Sequence, residues 1–214
     1  MKQNVPFVIT ISRQLGSGGA SIGQELAKRL NMHYADSEII QKTAKELSVL
    51  ENDLNNREER VQSFWESFFS LSSFVPEVYT RSLHKRFPTE VDLFLTESRI
   101  IEKLAYEHSS IIIGRCSFHV LRNHPNHFSI YLHADKSIRR RRIQQGYEIS
   151  EHQADEIIIR NDRERGEYIN NFTGKDWSDA RLYDLTLNTG KIPVNKCADI
   201  IMEYIKAILP AFQN

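Results

Sequence analysis

The segment Arg13 to Ser21 (RQLGSGGAS) is where the sequence could do chemistry first. It follows directly on the β-branched run Val5 to Ser12 (VPFVITIS), of strand length, and from Ala20 the apolar residues Ile22, Leu26, Ala27 and Leu30 recur at helical spacing. A strand, a glycine-rich turn and a helix start make a local anion site, because exposed backbone N–H groups and the helix dipole converge on one spot. Arginine supplies the second signal. Arg115 follows the apolar run SIIIG, Arg139 and Arg142 stand at i, i+3, and Arg160, Arg163 and Arg165 crowd the next helical segment. Guanidinium forks suit phosphate oxygens, and stabilising the charge of a transferring phosphoryl group is most of what a phosphotransferase must do. The bland alternative is that these arginines pair with Asp155, Glu156, Asp162 and Glu164 on the same helices. The loop also admits two ligands. It reads as a phosphate cradle of a nucleotide kinase, or as the G-x-G of a dinucleotide fingerprint whose ribose-binding acid is Asp36, about 20 residues after Gly16. The second reading has Ser21 where the fingerprint needs Gly or Ala.

The elements that must position these groups alternate strand and helix. Met32 to Ala35 is a short second strand closed by Asp36-Ser37, which caps a helix over Glu38 to Leu47. No glycine occurs between Gly23 and Gly114, so most of that stretch should be helical, with Phe64, Trp65, Phe68, Phe69 and Leu71 as an aromatic face. Ser110 to Gly114 and Phe128 to His133 are further strands. Arg139 to Arg142 lie on a helix that Gly146 can end, and Ser150 with Gln153 forms a capping box for a helix to about Asn170. Leu182 to Asn188 is a last strand, and Val194 to Leu209 an amphipathic helix. Strands separated by helices predict an open parallel α/β sheet of about five strands with helices on both faces.

Composition bounds the rest. The 214 residues, 40% hydrophobic and 26% charged, suit one globular domain, and 28 basic residues balance 28 acidic ones, so no bulk field draws nucleic acid or anionic membrane. No nucleic-acid or membrane partner is expected. The N-terminus lacks a signal-type apolar run, and two cysteines, Cys116 and Cys197, fit a reducing compartment; a cytoplasmic protein is the expectation. The histidines show no structural-metal spacing.

Taken together, ITISRQLGSGGASIGQELAKRL, YADSEII, IIIGRCSFHVL, IYLHADKSIRRRRI, IRNDRERGEYINNFTGKDW and YDLTLN resemble the cytidylate kinase-like family, over nearly the whole chain except roughly residues 50–90. The resemblance implies a P-loop NTPase-type core over 1–214, a helical acceptor-side segment at 37–108 and an Arg-rich helical lid at 135–178. It implies ATP-dependent phosphoryl transfer to a nucleoside monophosphate, CMP or dCMP favoured, with Mg²⁺ carried by ATP near Ser21. By position, Gly16, Ser17, Gly18, Gly19, Ala20 and Ser21 would wrap the donor phosphates. Asp36, Ser37, Lys42, Arg115 and Asp162 would hold the acceptor; Lys42 stands where cytidylate kinases carry arginine. Arg139, Arg142 and Arg163 would meet the phosphoryl group, and Asn188 and Thr189 the donor base. The departure is the loop itself: against G-x-x-G-x-G-K-G-T, Arg13 replaces the first glycine and Gly19 the lysine. Arg13 or Lys175, on the segment Tyr168 to Trp177, is then the expected substitute cation. The alternative is a regulator that binds nucleotide and transfers nothing.

Overall fold

Five short runs of β-branched and aliphatic residues pair into one parallel sheet in the order β2-β3-β1-β4-β5. In this computed structural model the described residues are 6–36, 39, 42 and 89–208. The chain divides into two compact units, Met1–Ala35 with Ile101–Asn214, and Asp36–Ile100. The first holds the sheet: β1 (Val8–Arg13), β2 (His33–Ala35), β3 (Ser110–Ile113), β4 (His127–His133) and β5 (Leu185–Asn188). Helices α1 (Gly19–Leu30), α2 (Glu90–Glu107), α3 (Ser117–Val120), α4 (Lys136–Tyr147), α5 (Glu151–Thr173) and α6 (Val194–Ile208) connect or flank the strands. The boundary between the units falls within α2. Of the second unit, Ile39 is buried and Lys42 exposed, both helical, and Leu93 is buried on α2. Ser37 and the aromatic run Phe64 to Leu71 lie outside the described residues.

β1 is central, paired in parallel with β3 through Val8–Ser110 to Ile11–Ile113 and with β4 through Val8–His127 to Arg13–Leu132. A strand buried on both faces has no solvated side, which is why its sequence is a near-continuous apolar run. Ile9, Ile11, Ile113, Ile130 and Leu132 form the core with Ile22 and Leu26 of α1 and Cys197, Ile201 and Ile205 of α6. Each such fully buried side chain is worth roughly 1.5–3 kcal/mol relative to exposure. A smaller cluster, Ile143, Ala154 and Ile158, takes in Leu15 from the turn after β1.

The strand order removes the dinucleotide alternative. That fingerprint needs β2 beside β1, so that the acid ending β2 can reach the ribose over the loop; here β3 stands between them. Several boundaries also differ from expectation, among them the ends of β1, which runs Val8–Arg13. Gly146 does not end α4, which runs to Tyr147 and stops at Glu148 in the left-handed region (φ 55). The Ser150–Gln153 capping box is present, and α5 continues past Asn170 to Thr173, where Gly174 (φ 66) ends it. The last strand starts at Leu185, because Asp179 accepts from the Arg181 N–H (3.0 Å) and caps a 3₁₀ turn over Ala180–Leu182.

Candidate active site

The turn from β1 into α1 is held from behind along its whole length. Every carbonyl from Arg13 through Gly18 accepts a hydrogen bond from the protein. Arg165 Nη1 donates to the Arg13 carbonyl (2.8 Å), and the Ser17 hydroxyl to that of Gln14 (2.8 Å). Arg139 Nη1 donates to the Leu15 carbonyl (3.1 Å) and Arg142 Nη1 to that of Gly16 (3.3 Å). The Thr189 hydroxyl donates to the Ser17 carbonyl (2.8 Å), and the Ile22 N–H takes that of Gly18 (3.0 Å). Carbonyls turned inward leave amides turned outward. Among the described residues none accepts from the N–H of Gly16, Gly18, Gly19, Ala20 or Ser21.

The sequence makes this geometry possible at two glycines. Gly16 and Gly18 take φ 81 and φ 84, conformations that L side chains rarely adopt. A Cβ at Gly18 would also press on Val194, 3.0 Å from its Cγ2, where α6 begins. Gly18 is the N-cap of α1 with no side-chain cap, and the first turn carries no acidic residue, so the positive end of the dipole meets no competing charge. Ser21, in that first turn, is exposed.

The arginines that sequence spacing brought forward separate into two kinds. Arg139 is buried; its Nε donates to the Ala134 carbonyl (3.0 Å) and its Nη1 pairs with Asp162 Oδ2 (2.7 Å). Asp162 Oδ1 accepts in turn from the Leu15 N–H (3.2 Å), so this pair grips the loop at both polar groups of one residue. Arg142 spans Gly16 and Thr189, whose carbonyl accepts from Nη2 (2.7 Å) and whose hydroxyl accepts from Nη1 (3.1 Å). Arg163, by contrast, is exposed and lies 3.9 Å from Glu167. Thr189 is fully buried behind the loop, while Asn188 accepts from the Gly190 N–H (3.0 Å). Arg165, one residue in a crowded run, holds a loop carbonyl; no spacing rule separates it from Arg163 two residues earlier.

Where β3 ends, Gly114, Arg115 and Cys116 are left-handed in succession (φ 69, 54 and 57). Two non-glycine residues in that region cost roughly 1–2 kcal/mol each. Arg115 is half-buried there. Lys175 follows Gly174, its N–H donating to the Thr173 hydroxyl (3.2 Å), and its charge reaches His119 of α3. Burial first, then Arg122 and Lys175, holds that imidazole below its ordinary range. Trp177 is not in an open loop: its carbonyl accepts from the Tyr183 hydroxyl (2.8 Å), and a Cβ at Gly166 of α5 would lie 3.2 Å from its Nε1. Tyr183 stacks on Tyr131 at 5.0 Å, and burial pushes the Tyr131 hydroxyl up to about 12, leaving it a neutral donor. Asp36 follows β2 and is half-buried; it and Lys42 belong to the second unit.

No helix among the described residues is long and apolar enough to cross a membrane. Comparison with known proteins returns one consistent fold. A gluconokinase from Sinorhizobium meliloti superposes with a TM-score of 0.55 at 11% identity, covering 99% of this chain and 98% of that one. A shikimate kinase from Bacteroides thetaiotaomicron gives 0.52 at 10% identity over 94% and 98%. An uncharacterized protein from Eubacterium ventriosum reaches 0.69 at 25% identity, over 94% and 98%. In sequence, a cytidylate kinase from Saccharolobus islandicus is 26% identical over 203 residues, 94% of this chain and 92% of its own. The core is thus the P-loop kinase fold, with the phosphate-type turn after β1 as its centre. The profile of the cytidylate kinase-like family matches residues 8–191, from the first residue of β1 to just past β5, and to that family the chain belongs.

Proposed function

We propose that this protein transfers the γ-phosphoryl group of ATP to a nucleoside monophosphate, with CMP or dCMP as first acceptors. One observation carries the reading: the inward carbonyls from Arg13 to Gly18 leave a row of outward amides at an uncapped helix start. Such a row suits an anion with several oxygens, as a polyphosphate presents. Family membership supports the acceptor class, and the related cytidylate kinase supports the base. Gly16 to Ser21 hold the donor phosphates; Asp36, Ser37, Lys42 and Arg115 serve the acceptor. Residues 135–178 act as an arginine-bearing lid and 37–108 as the acceptor side. Arg139, Arg142 and Asp162 work by fixing the loop, since their polar groups already grip it, and Thr189 shares that task. Arg163 and Lys175 remain for the acceptor or the phosphoryl group.

Magnesium fits this site as a passenger on the nucleotide. The loop side chain suited to it is the exposed Ser21 hydroxyl, beside the waters and phosphate oxygens that this hard cation keeps. When bound it neutralises charge on the phosphates. The chain's own contribution is to orient them, by amides on one side and full cations on the other, for an in-line transfer. Two buried thiols, Cys116 and Cys197, are consistent with the cytoplasm as its place of action.

The test is incubation with ATP-Mg²⁺ and a panel of nucleoside monophosphates and small-metabolite acceptors. ADP and a diphosphate product are expected with CMP or dCMP. Gly19 in the lysine position favours one other outcome, a nucleotide-binding regulator: ATP affinity by calorimetry with no acceptor raising ADP above background. That result would overturn the kinase.

A further inference from the structure

Gly19 poses a question that its backbone does not answer. Its φ lies outside the left-handed region, so any L residue could adopt it, and as the first residue of α1 it needs no special freedom. What excludes a side chain is space. A Cβ built on Gly19 would lie 2.8 Å from Arg13 Cγ, 3.0 Å from Arg13 Cβ and 3.5 Å from Arg13 Cδ. The stem of Arg13 therefore runs across the face of Gly19. Its far end is located the same way: a Cβ on Gly114 would collide with Arg13 Nη1. From the last residue of β1, the side chain crosses the start of α1 and ends at the glycine that closes β3.

We propose that Arg13 and Gly19 are a reciprocal exchange for the loop lysine: the cation moves from the helix start to the strand end, and the emptied position becomes its bed. This deepens the kinase reading above and rests on it. A lysine at 19 would force the Arg13 stem out of its present path, because the β-carbon of one enters the space of the other's stem. The guanidinium is delivered to the crevice beyond the carboxyl ends of β1 and β3, the place where open parallel sheets bind their ligands. Gly114 opens the left-handed turn over Gly114–Cys116, which bends the backbone clear of it. Arg165, holding the Arg13 carbonyl at 2.8 Å, fixes the point from which the side chain departs. Arg13 makes and breaks no bond; it supplies a full positive charge where backbone amides supply partial ones. Two lid arginines and Lys175 lack that coupling: Arg139 and Arg142 are turned onto loop carbonyls, and no lining glycine is shaped by Lys175.

The experiment compares wild type with Arg13→Met, Arg13→Gly, Gly19→Lys and the double variant Arg13→Gly/Gly19→Lys. Affinity for ATP-Mg²⁺ and for inorganic tripolyphosphate is measured by calorimetry, turnover with the acceptor panel, and folding by thermal melt. Arg13→Met keeps a stem and loses the charge; it should weaken tripolyphosphate binding about tenfold and lower turnover about 10²-fold. Gly19→Lys alone should lose about as much, because its stem displaces the arginine. The double variant should recover at least about tenfold over Arg13→Gly, a non-additivity of the kind that coupled neighbours show and independent sites do not. A double variant no better than Arg13→Gly, or an Arg13→Met protein with wild-type tripolyphosphate affinity and turnover but a lowered melting temperature, overturns the exchange. Should the glycine variants not fold, Arg13→Met alone decides. If wild type turns over no acceptor, the kinase reading fails separately, and the tripolyphosphate measurement still decides the role of Arg13.

Discussion

The two ends of the sheet are built on opposite principles. At the amino end the strands are entered by plain ladder extensions: the Val8 N–H donates to the Asn126 carbonyl (2.9 Å), that of Ser110 to Phe7 (3.1 Å) and that of His33 to Ser109 (3.0 Å). Its polar devices close local groups: His127 Nε2 lies 2.8 Å from the Thr10 hydroxyl, and Asp184 accepts from the Ser129 N–H (2.7 Å) and hydroxyl (2.8 Å). At the carboxyl end β1 leaves into a loop with every carbonyl gripped and a nearly buried ion pair, Arg139–Asp162, behind Leu15, and β3 leaves through consecutive left-handed residues. The difference separates sealing from aiming. The amino end only closes a core, whereas the carboxyl end spends backbone strain and buried charge on pointing amides and cations outward, as functional sites do.

If the arginines behind the loop hold it, breaking one should unfold the carboxyl end rather than merely slow it. Arg139→Ala leaves Asp162 Oδ2 and the Leu15 and Ala134 carbonyls without the arginine donor, and losing one partner of a buried pair costs about 3–5 kcal/mol. A fall in melting temperature of roughly 10 °C is expected, with ATP affinity lost alongside. Unchanged stability with lowered kcat would instead make Arg139 a group that meets the phosphoryl in the transition state, the role its family position implies.

The amino end should answer to pH and not to nucleotide. Burial lowers the His127 imidazole from its ordinary 6.5 to about 4, with His124 adding to the shift and Asp184 opposing it. The unfolded chain therefore takes up the proton first as pH falls. This contribution is full above pH 6.5, is lost between 6.5 and about 4, and is flat below, amounting to at most about 3 kcal/mol. His127→Gln should flatten that part of the stability profile, read from urea melts across pH, while ATP affinity at pH 7 stays as in wild type. A smaller effect is expected at Thr189, whose hydroxyl serves the Ser17 carbonyl. Thr189→Val should cost about 1–2 kcal/mol and weaken ATP binding a few-fold, by calorimetry.

How much of this was legible in the sequence follows the same division. The strands, the loop and the capping box at Ser150 are local patterns, and each was readable from periodicity or a cap signal. The sheet order was not legible; it comes from the folded structure, where it separates kinase from dinucleotide fold as G-x-G spacing could not. The direction of the arginines was not legible. Arg139 and Arg163 look alike in a run of charges, yet one is buried on Asp162 and the other exposed near Glu167, because facing depends on how α4 and α5 pack around Leu15. The Arg13 exchange was half legible: the missing lysine shows in the loop, but the fit of its stem over Gly19 exists only in three dimensions.

The smallest effect isolates the strain at the carboxyl end. Arg115 is left-handed at φ 54, half-buried, and flanked by Gly114 and Cys116 in the same region. Alanine and glycine both remove its guanidinium, so both should lose the same turnover and acceptor affinity if the side chain serves the acceptor. They differ in the backbone. Alanine keeps the Cβ that collides with the following carbonyl in this region, a cost of about 1–2 kcal/mol, while glycine escapes it and gives up about 0.5–1 kcal/mol of unfolded-state entropy. Arg115→Gly should therefore be more stable than Arg115→Ala by up to about 1 kcal/mol, equal in kinetics, and distinguishable in paired denaturant melts. An Ala variant as stable as Gly would mean that the turn is set without strain by its neighbours, and that the contrast between the two ends of the sheet rests on the arginine clamps alone.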